Sequence, residues 1–600
     1  HHLSVTSADL DAREIKAQFK GAGTLHYGTD GKLESLAGDF AAGRLVFHAP
    51  GVFARPVRFS GLGFSGAYTP ASHRLDVTRA TLTAPALALQ ASGAVTFDPV
   101  KSPGLALSGR IAALPVRTLL TYWPVFAAPG ARAWIDENVF AGTLGPAQFQ
   151  VNFAPGGADQ AVLPTEALTL RFAMKGIEAN YLSGLTHLTG VDGTALLTGD
   201  DFSADFTAGR VGNLVVRSGH AVIPALHQHG TVGIFSLHAD GPMTDIMTLI
   251  DMKPLGYPTR FGIDPKTTLG MAGVDLNFRV PMLPDLPVDD VGIGVKAQVS
   301  NFAVSIGKLR LSDGQVAFDI DNNRLHQTGS AMLADQRFTL DWTEDFKTAD
   351  PVTSRIATRG LLTPQVRTLL GIDIGKIVTG AWPVSATITG HRGTLLQADA
   401  TVDLSPATVT VPFVNLGKPA GEAASARVLV NFTPEGRVAD QHFRVTGPGL
   451  SALGTATFDR NGALARVDFS NVRRGPLNDL GFTLIKSANG DVYDLHGRVL
   501  DGSSIGRNAS CNAPPGGPKG QEKPDEKPDG AWRVVAHLDR LALCDGAAIA
   551  PFNLDMSGIG EKPSALTMRG DLGKGELTAG LADTAQGRTV TVAAGDTGAL

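Results

Sequence analysis

The sequence predicts a mainly β protein, an elongated and twisted antiparallel sheet with a few short capping helices. Three observations carry this reading. Apolar side chains alternate with small or polar ones at a period of two over hundreds of residues, which puts successive side chains on opposite faces of a strand. Turn signals punctuate the alternating runs. Segments of the dozen or so residues that a parallel crossover needs are scarce, so neighbouring strands should run antiparallel.

In chain order, Asp30-Gly31 marks the first clear hairpin. Thr96-Phe97-Asp98-Pro99 then ends a strand on an aromatic, a pattern repeated at Phe153, Phe432 and Phe458. The run Leu114 to Tyr122 predicts a helix, and Pro129 suits the first turn of another over Ala131 to Phe140, with Gly142 past its end. Pro242 to Lys253 predicts a third, with Ile246, Leu249 and Ile250 on one stripe before Pro254. Strands follow at Val291, Ile293, Val295 and Val299, at Val316, Phe318 and Ile320, and at Phe338, Leu340 and Trp342, with turns at Asp313-Gly314 and Asp321-Asn322-Asn323. Thr363-Pro364 opens a helix through Leu370-Gly371, and Val409, Val411 and Phe413 form a further strand. Asn461-Gly462 and Asn489-Gly490 mark later hairpins. Residues 508–530 replace the alternation with Pro, Gly and charge and predict a flexible insertion, after which strand pattern resumes at Trp532 to Leu543 and continues to residue 600. We therefore expect one continuous sheet over 1–507, an insertion over 508–530 and a continuation over 531–600.

Composition narrows the function classes. Glycine supplies 71 of 600 residues, while charged residues make up only 18%, which disfavours long solvated helices and coiled coils. The formal net charge of -5 is spread without a basic stripe, so the footprint of a nucleic-acid binder is missing. No apolar run is long enough for a membrane span. A barrel closed from roughly 40 strands would enclose a wide wet lumen, so a rolled, open sheet is the better expectation.

No catalytic constellation stands out. Gly502-Ser503-Ser504-Ile505-Gly506 has the form of a nucleophile elbow, but a Pro-rich loop follows where that motif requires a helix. Gly371 to Lys376 is one residue short of a phosphate loop, and Gly292-Ile293-Gly294 lies inside a strand run, where glycine marks a close backbone approach rather than a dinucleotide site. His227 and His229 point the same way if 225–230 is extended, with His220 and His238 nearby. No Asp or Glu spacing supports a metal site, and these read as solvent-facing histidines on neighbouring strands. Asp289-Asp290 and Glu344-Asp345 sit beside turns and read as solvating them. Cys511 and Cys544 could pair in an oxidising compartment. The expectation is no enzyme, no cofactor and no metal.

Leu114-Pro-Val-Arg-Thr-Leu-Leu-Thr-Tyr122-Trp123-Pro124, with Ala131-Arg132-Ala133-Trp134-Ile135 and Gly142, resembles the helical signature of large AsmA-like envelope proteins, the YhdP group especially. Gly241-Pro242-Met243-Thr244-Asp245 through Pro254-Leu255-Gly256 and the stretch Pro281 to Phe346 resemble the same family, and the likeness spans most of 80–500. The charged insert at 508–530 departs from it. The resemblance implies a β-sheet curled into an open hydrophobic groove, similar to bridge-like lipid transfer proteins. It implies a periplasmic location, with anchorage in the inner membrane through an N-terminal helix that this sequence lacks. Phospholipids would move between inner and outer membrane, acyl chains inside the groove.

On that reading the groove residues are Val291, Ile293, Val295, Val299, Val316, Phe318, Ile320, Phe338, Leu340, Val409, Val411, Phe413, Val428 and Val430. Gly292, Ala317 and Thr410 occupy the alternate face. The competing expectation is a structural envelope protein whose apolar face binds other proteins and assists outer-membrane assembly without moving lipid.

Overall fold

The computed structural model describes residues 2–11, 15–48, 53–125, 128–160, 162–182, 184–253, 255–283, 286–372, 378–410, 416–460, 462–487, 489–503, 530–560, 562–584 and 587–595. Among them the chain is mainly β, with 36 strands and five short α-helices. The helices are α1 (Val116–Tyr122), α2 (Pro129–Asn138), α3 (Met243–Asp251), α4 (Tyr257–Arg260) and α5 (Pro364–Leu369). Two compact units divide it: His1–Phe302 with Ala317–Asn322, and Ala303–Val316 with Asn323–Leu600.

In the first unit the long strands pair in sequence order, the short strands Val57–Phe59 and Leu114–Pro115 adding to Leu33–Phe47 and Val139–Phe153. His2–Asp11 pairs with Ile15–Tyr27, which pairs with Leu33–Phe47, and antiparallel pairing continues to Leu269–Pro281. In the second unit the same succession runs from Arg324–Leu333 to Gly587–Ala594. Within each unit the described pairings never return to the first strand, so neither sheet closes into a barrel.

One pair breaks the antiparallel rule: Asp491–Asp501 runs parallel to Ala531–Ala542. The residues between them, 502–530, include the predicted insertion and are long enough for a crossover. Most of that insertion lies outside the described residues. Strand structure resumes at Ala531, as the alternation indicates.

The helix positions match the sequence reading, with shorter ends. Leu114-Pro115 is a strand paired with Thr143-Leu144 rather than a helical turn, and Val139 and Phe140 already belong to the next strand, Val139–Phe153. Thr363 caps α5 by accepting a hydrogen bond from the Val366 amide at 3.3 Å, and Pro364 occupies the first turn. The helix α4 was not legible in the sequence. Six strands separate α2 from α3 and six separate α4 from α5, a spacing in strands rather than residues, which a search for short residue periods misses.

Asp313-Gly314 is not a hairpin. Asp313 sits at φ 47° inside the continuous strand Leu309–Asp321, and Gly329 on the neighbouring strand would place a Cβ 2.8 Å from the Val316 Cα. Asp-Gly tolerates the positive φ that both a turn and an in-strand irregularity require, so the dipeptide alone does not separate them.

In each unit helices pack onto buried apolar residues of the sheet. Val116 of α1 packs with Val139 and Ala179, and Leu114 beside it packs with Val57, Phe59 and Leu87. In the second unit Val366 of α5 packs among Phe338, Leu362, Trp382 and Val402. Two buried cations nearby are held by backbone carbonyls. Arg367 donates to the carbonyls of Leu362 (2.8 Å) and Gly380 (2.7 Å) and stacks on Trp382. Lys418 donates to the carbonyls of Leu404, Ala407 and Pro419, which satisfies all three ammonium protons and fixes the loop around it.

Candidate functional site

Residues directly opposite each other on paired strands share a face, so the registers trace each face across the sheet. In the first unit one row runs Phe19, Ala42, Leu62, Leu82, Leu89, Ile111, Ala147, Phe172, Ala195, Ala204, Ala221, Phe235 and Phe278, each opposite the next. Every member is apolar. One residue over, the other face carries Gln90, Arg110, Gln148 and Arg171 in succession, and farther along Thr194, Asp205, His220, Ser236 and Asn277. In the second unit the corresponding row runs Gly329, Leu340, Thr358, Ala386, Ala400, Val428, Phe443, Gly454, Phe469, Phe482, Leu495, Ala536, Leu554, Met568, Ala579 and Val592.

The floor of this face is built from aromatic rings laid over glycines. Phe149 stands opposite Gly109, and a Cβ on that glycine would lie 2.5 Å from the ring. Phe443 covers Gly454, which stands between it and Phe469. Phe469, Phe482 and Tyr493 then follow with ring centroids 6.2 Å apart. Leaving out the side chain on one strand lets the ring from the next lie against the backbone, giving a thin, continuous apolar layer. The sequence reading missed these pairs. A cross-strand partner is invisible without the register.

The structure places the sequence-predicted groove residues as follows. Ile293, Val295 and Val299 alternate on one face of Gly292–Ile306, and a Cβ on Gly292 would meet the Arg279 side chain, so Gly292 belongs to the polar face. Val291 precedes that strand; its carbonyl accepts from the Asn322 side chain at 2.7 Å, and Asn322 in turn accepts from the Ile293 amide. Phe318 meets Phe302 edge to face at 6.4 Å, and Ile320 lies two residues along the same strand. In the second unit Val316 is buried, Phe338 joins the core under α5, and Leu340 and Val428 fall in one row. Val430 lies opposite Ala398 and Gln441. Val409 is not part of this face: it belongs to a separate two-stranded pairing with Val378–Thr379 and bridges Lys418. Val411 and Phe413 lie outside the described residues. Ala317 is half-buried and Thr410 exposed.

The polar face is held by ion pairs across strands and, at Arg466 and Asp468, along one strand. Arg427 grips Asp399 through two hydrogen bonds, Arg466 grips Asp468, and Arg533 grips Asp555. Each guanidinium holds its partner's carboxyl below the usual carboxylate range. A depressed carboxyl stabilises the fold above its unfolded pKa, and that contribution is lost as pH falls through the folded value. The urea midpoint should therefore fall as pH is lowered from 7 to 3, with a shallower fall in high salt because the pairs face solvent. A midpoint that rises on acidification would contradict this account.

The histidines face solvent as expected, but His220, His227 and His238 each have a carboxylate that sequence spacing failed to reveal. His220 meets Asp205 at 2.7 Å, His238 meets Asp275 at 2.8 Å and His227 meets Asp200 at 2.7 Å. These partners come from adjacent strands or loops, and 225–230 is a turn rather than an extended segment. No metal-binding group of three occurs among the described residues. Glu344 overturns its sequence reading: it is 2% exposed, buried within the sheet face instead of solvating a turn, whereas Asp345 is exposed. Cys544 is disulfide-bonded, and Cys511 lies outside the described residues. So do Ser504 of the elbow-like motif and most of the segment following Gly371. No helix among the described residues is long and apolar enough to cross a membrane.

No curated protein matches this chain. A family model described as YhdP protein matches residues 2–544, nearly the whole chain. Together with the open, two-faced antiparallel sheet, that match places the chain in the YhdP family, the AsmA-like group of cell-envelope proteins.

Proposed function

We propose that this chain carries phospholipids across the periplasm between inner and outer membrane, with acyl chains against the apolar face and headgroups in water, and that it does so without catalysis. The observation that carries this reading is the row from Phe19 to Phe278, thirteen strands without one polar side chain. Burial of each methylene returns about 0.8 kcal/mol. Where the lining changes little from strand to strand, that return is nearly the same at each position, so a lipid is held firmly and no single site traps it. Membership of an envelope family supports the location.

Photo-crosslinking residues placed in cells at Val295, Leu237 and Val428 should capture phospholipid, whereas the same residues at Gly292, Lys296 and Arg427 should not. Equal capture by the two faces overturns the proposal. Folded protein whose organic extract contains no phospholipid would instead favour an apolar face that binds protein.

A further inference from the structure

One corner of the second unit departs from the apolar rule. On adjacent strands of the same face, Glu344 lies opposite both Leu325 and Ser354, and Gln327 lies opposite Trp342. Glu344 and Gln327 are therefore diagonal neighbours, within reach of long side chains. Both are enclosed, at 2% and 7% exposure. Thr353, also buried, donates to Glu344 Oε1 at 2.7 Å and accepts from the Arg392 amide at 2.8 Å, and Trp342 Nε1 donates to Ser354 at 3.0 Å. Glu344 Oε2 and Gln327 Nε2 are left without a partner, as is His391 Nδ1 beside Gly390, the residue opposite Ser354. Leaving a buried polar group unpaired is costly, and such groups in native proteins are ordinarily met by water or ligand.

We propose that Gln327 and Glu344 form a polar station in the apolar face that takes one hydroxyl, which accepts from Gln327 Nε2 and donates to Glu344 Oε2. Only a group that does both satisfies the pair. An acyl chain does neither, so the station marks a place where a passing lipid is aligned by its polar part or where a resident water completes the floor. Water and a lipid hydroxyl share this chemistry. The lipid source rests on the transfer reading above; the water source does not.

A double-mutant cycle on the 600-residue chain tests it, with Gln327→Leu, Glu344→Leu and the double variant compared by urea unfolding. A shared hydroxyl makes the two singles non-additive: each lowers the midpoint, and the double lowers it by clearly less than their sum. Gln327→Met and Glu344→Met repeat the cycle should a leucine variant fail to fold. Coupling that survives delipidation assigns the hydroxyl to water. Coupling lost on delipidation and restored by phosphatidylglycerol vesicles, but not by phosphatidylmethanol vesicles of equal charge, assigns it to lipid. Additive singles in both lipid-bound and delipidated protein overturn the station, whatever the crosslinking result.

Discussion

Ala204→Asp should unfold the sheet of the first unit, with a loss of about 4 kcal/mol or more, the range expected when an unpaired charge is buried. Ala204 is 2% exposed and lies between Ala195 and Ala221 on the neighbouring strands, with Phe172, Met174, Phe202, Phe206 and Phe235 packed around the three. A carboxylate there would be enclosed by apolar side chains. The contrasting change is Ser92→Asp, on the exposed polar face opposite Ser108, which should stay within about 0.5 kcal/mol of the parent. Urea unfolding followed by circular dichroism, with limited proteolysis to locate the loss, separates the two. An unchanged midpoint for Ala204→Asp would mean that this face is wet and that the register-based assignment is wrong.

Gly360→Ala should cost about 2–3 kcal/mol, the penalty of overpacking. The added methyl would run into the Phe338 ring, with Cγ at 2.7 Å, and no backbone atom figures among its nearest contacts. Phe338 is buried against Leu362, Val366 and Trp382, so its ring has no free direction in which to retreat. Because the obstacle is a side chain, Phe338→Leu in the same molecule should recover most of the loss, and the two changes should be strongly non-additive in a thermal or urea cycle. A harmless Gly360→Ala, or a double variant as weak as the sum of its singles, would show that the ring does not rest on the glycine.

Legibility differed between face and floor. Ile293, Val295 and Val299 could be assigned to one side because period-two alternation is a local property of a single strand. Val409 carries the same local signature and yet sits in a separate short pairing, because alternation says nothing about which strand is the neighbour. The dipeptide Asp313-Gly314 failed for a related reason: positive φ is local, whereas the choice between reversing and continuing depends on the partner strand. The insertion was legible by composition, but not its consequence, the parallel pairing of Asp491–Asp501 with Ala531–Ala542.

The candidate site divides along the same line. By itself the sequence determined a charge-poor, glycine-rich, alternating chain, and hence an antiparallel sheet with one apolar and one polar face, since these follow from spacing along the backbone. Tertiary structure alone decided what crosses between strands: that Phe149 lies over Gly109 and Phe443 over Gly454, that His220 finds Asp205, and that Glu344 is enclosed beside Gln327. Each of those facts is a register between strands, and a register is fixed by the packing of a whole face at once, so no window along one strand contains it.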